Sequence, residues 1–375
     1  MPTRRNILEL LAAAPLAACA GGPSVDPVAA WRNPGAGETD PRRYALAHAI
    51  LAPNPHNRQP WVADLVGGDE MVFFADTARL LPATDPPNRQ ITLGCGAFLE
   101  LLDLAARQSG HRAEIALWPE GEPQPVLDQR PVARIRLVKD PGIAKDPLFA
   151  QILKRHTNRV PFEDWAPAAA DLAAVVAATA GPGLSAATVV DPATRAKLID
   201  LGNQAFVIEG RTHATHMESV NLMRIGADEI ARHRDGISLD GPLIGALSAV
   251  GMMTKQSMAN PDSFASKQGV KMYAEMLAAT PAFFWLRAAD NSRASQIAAG
   301  RAYARAHLTA AARGLSMHPW SMGLQEFPEM AVPYAETQAL LGATPAAPLQ
   351  MLTRIGYAKP GPQSPRRGLE QHIRT

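Results

Sequence analysis

Residues 52–61, A-P-N-P-H-N-R-Q-P-W, set the tightest limit on how this chain can fold. Pro53, Pro55 and Pro60 fix φ and remove backbone donors, so neither a helix nor a central strand can run through the stretch. It reads as a rigid polar loop. Its amides, Asn54, Asn57 and Gln59, carry both donors and acceptors, which suits the edge of a heteroaromatic ring with alternating N–H and C=O groups. Residues 155–162, R-H-T-N-R-V-P-F, supply complementary chemistry. Arg155 and Arg159 are permanent cations whose planar forks match phosphate oxygens, and His156 and the hydroxyl of Thr157 lie between them. Ring edge and phosphate together describe a nucleotide cofactor.

Residues 1–22 read as a leader. T-R-R-N-I-L is a twin-arginine signature, and the apolar run from Leu10 to Ala18 is too short to span a bilayer. Leu16-Ala17-Ala18-Cys19 fits a lipobox, in which Cys19 would be lipidated and hold the protein at a membrane surface. Ala18–Ala20 also fits plain signal cleavage. Either way the expected location is periplasmic or membrane-anchored after export by the twin-arginine route, which carries folded, cofactor-loaded clients. Residues 23–41, rich in proline, read as a tether.

If lipid takes Cys19, only Cys95 remains, so neither a disulfide framework nor a cysteine metal site forms within the chain. A net charge of +2 with 19% charged residues argues against nucleic acid as a partner, because tracking phosphates needs a concentrated basic face.

Hydrophobic periodicity gives the remaining elements. In the first half we expect a helix over 43–51, a hairpin of strands 61–65 and 70–75 around Gly67-Gly68, and a long helix over 89–109 capped by Gly110. Strands over 113–118 and 132–137 complete that half, and Cys95 lies on the apolar face of its helix. In the second half we expect helices over 147–155, 168–179 and 191–215, then strands over 185–190, 283–286 and 349–356. Its best helix, Ala-rich, covers 295–313 and stops at Gly314. His213, His216, Glu218, Asp228, Glu229, His233 and Asp235 lack the paired spacing of a metal site and read as polar helix faces. Residues 236–258, rich in glycine and methionine, fit either a flap or an adaptable core patch.

These stretches resemble the FMN-dependent nitroreductases. Residues 52–61 look like the family's A-P-S-S-x-N-x-Q-P-W loop, and residues 155–162 look like its opening arginine motif. The order of the two is reversed here, which resembles the Acg-like branch, as do D-x-x-R, D-P-x-x-R and G-x-G-A-x-L between residues 76 and 110. The resemblance implies an α+β fold, a nitroreductase-like sheet flanked by helices. Two degenerate halves, 42–145 and 146–375, would form an internal pseudo-dimer, able to act as a monomer with one FMN between them. The turn over 314–322, with Pro319, Trp320 and Ser321, matches the segment that approaches the flavin ring, although Met322 replaces a usual glycine. Arg366 and Arg367 match the basic tail segment that reaches the FMN phosphate. Asn54 and Pro55 replace two loop serines.

The implied cofactor-binding set is therefore Pro53, Asn54, Asn57, Gln59, Arg155, His156, Thr157, Arg159, Pro319, Trp320, Ser321, Arg366 and Arg367. The implied reaction takes two electrons from a small-molecule donor through FMN to an electron-poor acceptor such as a nitroaromatic or quinone. No catalytic acid or base is recognisable by spacing. A flavin-sequestering protein with little turnover is the alternative, and an interaction scaffold a third. An exported protein would not meet cytoplasmic NAD(P)H.

Overall fold

The computed structural model describes residues 25–374. The leader, with Cys19, and residues 23–24 of the expected tether lie outside the described residues. The first half contains α1 (Pro41–Ala49), β1 (Trp61–Val66), β2 (Glu70–Ala75), α2 (Arg89–Gln108), β3 (His111–Leu117) and β4 (Ala133–Lys139). The second begins with α3 (Ala169–Ala177), β5 (Leu184–Val189), α4 (Pro192–Arg211), α5 (His213–Leu222), β6 (Met223–Ile225), α6 (Ala227–His233) and β7 (Ile237–Leu239). It continues through α7 (Pro242–Ala249), α8 (Lys255–Ala259), α9 (Phe264–Ala278), β8 (Ala282–Ala288) and α10 (Arg293–Ala312). It ends with β9 (Ser316–Pro319), α11 (Ala331–Leu340), β10 (Leu349–Gly356) and β11 (Ile373–Arg374).

The class is α+β, and one strand order occurs twice. The order β1-β2-β4-β3 in the first sheet recurs as β5-β8-β10-β9 in the second. Neighbours within each set run antiparallel. In both sets a long helix separates the second strand from the third. β11 then joins the first sheet parallel to β1, so the C-terminal tail crosses from one half to the other.

Two of the long helices, α2 and α10, cross in direct backbone contact at Gly96 and Gly300. Their first residues, Arg89 and Arg293, are both fully buried and each reaches into the opposite half. Arg89 donates to the carbonyls of Leu324 and Gln350, and Arg293 to those of Pro123 and Pro125. Beyond the crossing, Glu100 of α2 accepts from Arg301 at 2.8 Å and Arg305 at 2.7 Å of α10. Buried charges persist where such bonds replace lost hydration.

Two expectations need correction. The described part of the proline-rich stretch is no tether: Trp31 is 3% exposed. Its Nε1 donates to Ser364 O at 2.8 Å, and Arg366 N donates to Pro27 O at 3.0 Å. Burying the indole outweighs the freedom that proline composition implied. The expected helix over 147–155 shrinks to a single tight turn, Pro147–Gln151. Ile152 is anchored in the first-half core, and from Thr157 the chain lies alongside β9, bridged to Met317.

Candidate functional site

The proline-rich loop is held in an uncommon conformation. His56, Asn57 and Gln59 have φ of 48°, 50° and 50°, the left-handed region that non-glycine residues seldom enter. Each such residue costs about 1–3 kcal/mol and persists only where its surroundings over-determine it. The bonds that do so are visible. Asn54 Oδ1 accepts from Gln59 N at 2.7 Å, and Asn54 Nδ2 donates to Ala52 O at 3.2 Å. Below the loop, Gly94 of α2 leaves room for Asn54: a β-carbon there would lie 3.3 Å from that of Asn54.

The C-terminal tail is laced to this loop. Arg366 donates to Ile50 O at 3.1 Å, to Ala52 O at 3.1 Å and to Asn57 Oδ1 at 2.6 Å. Asn57 Nδ2 donates to Pro365 O at 3.0 Å. Gln59 Oε1 accepts from Arg367 N at 2.9 Å, and its Nε2 donates to Arg234 O at 2.8 Å. This differs from the sequence expectation, in which Asn57 and Gln59 face a ring edge. Gln59 is 0% exposed, and both amides spend their bonds on the protein backbone and on Arg366. They shape the site from behind.

Arg155 arrives from the second half. It is 2% exposed, donates to Leu51 O at 2.9 Å, and among the described residues its Nε has no partner. Its guanidinium lies 5.8 Å from the centre of the Trp31 ring, and that of Arg366 lies 5.3 Å from the same ring. Burial, followed by repulsion from Arg155 and Arg159, pushes Arg366 well below the usual arginine range. Arg159 is exposed at the edge of this group. Among the described residues, none of the three pairs with a carboxylate. Cations gathered without a counter-charge are costly unless an anion joins them. The orphaned Nε of Arg155 adds an unused donor, so the set fits a dianionic phosphate ester.

The remaining expected residues frame this cluster. Thr157 bridges to Met317, and Asn158 Nδ2 donates to Ser316 Oγ at 3.1 Å and Lys359 O at 2.8 Å, fixing the arginine segment along β9. The carbonyl of His156 lies 3.1 Å from His307 Nε2. Pro53 is buried at the loop entry. Pro319 pairs with Thr353, and Ser321 Oγ lies 3.4 Å from Leu352 O. Trp320 packs in the second-half core among Leu277, Phe283 and Leu352, with its ring 5.8 Å from that of Tyr273. Its indole is therefore a core element.

The sequence reading missed Trp31, whose only signal was a lone tryptophan in a proline-rich stretch. It also missed Glu209, Ser219 and His56, which meet only through the fold. Of the polar residues declined as metal ligands, Glu218 accepts from Thr84, and Asp235 from Arg79 and Arg224.

No protein-family model matches the chain. A putative NAD(P)H nitroreductase of Mycobacterium tuberculosis is 28% identical over 339 residues, covering 88% of this chain and 90% of that protein. An uncharacterized protein of the same organism is 32% identical over 124 residues, 32% of this chain and 35% of its own length. The putative nitroreductase acg is 32% identical over 133 residues, 34% of this chain and 38% of its own. The chain thus matches little more than a third of the length of these last two relatives. Among solved structures, the FMN-dependent nitroreductase NfnB from Mycobacterium smegmatis, in complex with NADPH, is similar over 60% of this chain and 96% of its own, at 19% identity and a TM-score of 0.37. Iodotyrosine deiodinase bound to FMN and 3-iodo-L-tyrosine is similar over 59% of this chain and 95% of its own, at 16% identity and a TM-score of 0.34.

Proposed function

We propose that the chain is an FMN-binding oxidoreductase of nitroreductase type, with one cofactor held between halves 42–145 and 146–375. It would pass two electrons from a small-molecule donor to an electron-poor acceptor such as a nitroaromatic or quinone. The observation that carries this reading is the gathering of Arg155, Arg159 and Arg366 beside the strained loop, with no carboxylate paired to them among the described residues. The similarity to a putative NAD(P)H nitroreductase along nearly the whole chain supports it.

When bound, FMN supplies the hydride chemistry. The chain's own residues bind and orient it. Arg155 and Arg159 keep donors for the phosphate, and Arg366, whose N–H groups are bonded to the protein, adds its charge. Asn57 and the carbonyls of Ile50 and Ala52 hold Arg366 in place. Trp31 lies against two of the cations, which limits water and strengthens their hold on an anion.

The absorbance spectrum of the purified protein tests the reading, together with titration of apoprotein by FMN. A flavin band and saturable binding are expected, and Arg159→Ala should weaken binding. A colourless protein that binds no FMN overturns it. Oxidation of NADPH by the loaded protein separates a working enzyme from a flavin store. The leader supports a further proposal, export and anchoring through Cys19. Cys19→Ala should release the protein from membranes, and unchanged membrane association would exclude the anchor.

A further inference from the structure

A polar chain outside the guanidinium cluster links the two halves. Glu209 on α4 accepts from Gln325 Nε2 at 2.9 Å through one oxygen and from Ser219 Oγ at 3.3 Å through the other. Ser219, on α5, lies 3.2 Å from His56 Nε2 in the strained loop. His56 in turn feels the charge of Arg159. One unbroken path therefore joins a carboxyl on the second half to the loop of the first.

The chemical states suit proton movement. Burial, with repulsion from Glu218 of α5, raises the Glu209 carboxyl to about 7 against the bonds from Gln325 and Ser219. Glu218 is itself fixed, accepting from Ala83 N at 3.0 Å and from Thr84 Oγ1 at 2.6 Å. Burial, then Arg159 and Arg58, holds His56 at about 4, so its ring is neutral at neutral pH. Glu209, Ser219 and His56 are nevertheless partly accessible. A neutral imidazole can accept at one nitrogen while donating from the other.

We infer that Glu209, Ser219 and His56 form a proton relay that opens beside Arg159 and supplies the proton accompanying hydride transfer to the acceptor. The inference rests on the flavin reading for its purpose and on the hydrogen-bond path for its existence. When Glu209 is protonated its O–H donates to Ser219 Oγ and the Ser219 hydroxyl turns to His56 Nε2; Glu209 then gives its carboxyl proton to Ser219 Oγ while the Ser219 hydroxyl proton passes to His56 Nε2. The Nδ1 proton of His56 then leaves for the acceptor, which also takes the hydride. The carboxyl loses one proton, the acceptor gains one, Ser219 is unchanged, and His56 has exchanged tautomers. Glu209 reloads from solvent. Within this path Ser219 and Glu209 are positioning and supply residues, since neither touches the guanidinium cluster.

Two measurements on the full-length chain test it. In apoprotein labelled with 15N-histidine, His56 should show a tautomer shift centred near the Glu209 midpoint, without becoming doubly protonated. Glu209→Gln should abolish that shift, and Ser219→Ala should uncouple it. A His56 signal flat from acid to alkaline pH, or one that Ser219→Ala leaves unmoved, overturns the relay whether or not flavin binds. In FMN-loaded protein that has been photoreduced, reoxidation by a quinone should slow about tenfold in Glu209→Gln at slightly acid pH and lose its pH dependence. Equal rates and profiles in the variant and the parent overturn the delivery role. A protein that binds no FMN overturns the flavin reading instead, and the histidine spectra still decide the relay.

Discussion

Gly96 and Gly300 face each other where α2 and α10 cross, and a β-carbon built on either would lie 3.0 Å from the other's α-carbon. Each glycine sits seven residues after the arginine that opens its helix, Arg89 or Arg293. The contact thus falls at matching places in the two halves, as a two-fold relation requires. The added carbons would also overlap the carbonyl oxygens of Ile297 and Leu93, backbone atoms that cannot swing aside. Gly96→Ala and Gly300→Ala should therefore each destabilise the fold by at least about 2 kcal/mol, the overpacking range, despite alanine's better helix propensity. Urea unfolding checks this, and a variant as stable as the parent would show that the helices can separate freely.

The guanidinium cluster makes a prediction about affinity and number. Arg159 is the accessible member, with no carboxylate partner among the described residues, so its loss should disturb the fold little. Arg159→Ala should weaken FMN binding by about 1.5–3 kcal/mol, or roughly ten- to a hundredfold, the range for bonds to charged groups. Calorimetric titration of apoprotein should reach its endpoint near one FMN per chain, because the loop and the arginine segment each occur once. An endpoint near two would contradict a single site between the halves.

Asn57 should act on the same affinity through Arg366. Its Oδ1 takes a 2.6 Å bond from Arg366, which otherwise donates to backbone carbonyls and to Ser364 Oγ. Asn57→Ala should lower FMN affinity by several-fold, and the effect should vanish once Arg366 is already Met. A double-mutant cycle measures this: coupling of about 1 kcal/mol or more is expected for directly bonded groups. Additive losses would mean that Asn57 touches the ligand itself.

Much of the chain is legible because local chemistry and tertiary packing agree. Strand Leu349–Gly356 follows its predicted bounds, and α10 begins two residues before its predicted start. The loop at 52–61 is readable because proline excludes the alternatives. Where long-range contacts decide, the sequence is silent. Nothing local says that Asn57 and Gln59 bond to a tail some 300 residues away (|i−j| of 308 for each). The helix predicted over 191–215 divides at Thr212, whose ψ of 115° is extended. There the Thr215 hydroxyl binds Glu209 O at 2.7 Å and turns α5 away, bringing Ser219 to Glu209. Side-chain bonding to nearby backbone competes with helix continuation. Such a break is invisible to hydrophobic periodicity, and so was the polar chain it creates.

The Glu209 carboxyl also makes stability depend on pH. Its ordinary value is 4.5, and in the folded chain burial raises it to about 7. Below the lower value the group is protonated in both states and contributes nothing. Between the two, the unfolded chain releases the proton while the folded chain keeps it, so stability falls as pH rises through this window. Above the upper value the loss is complete. At about 1.4 kcal/mol per pKa unit the ceiling is about 3 kcal/mol, and partial access to solvent reduces the expected loss to about 1–2 kcal/mol. Asp85, buried against the start of α2 and likewise raised to about 7, adds a loss of the same sign. The parent's curve alone therefore does not isolate Glu209. Glu209→Gln does, because it keeps the shape and leaves Asp85 in place. Its stability relative to the parent should be greater by about 1–2 kcal/mol at pH 8 than at pH 4.5. Urea unfolding of both proteins at several pH values measures the gap, and a gap that stays constant would mean that the carboxyl titrates as it does in the unfolded chain.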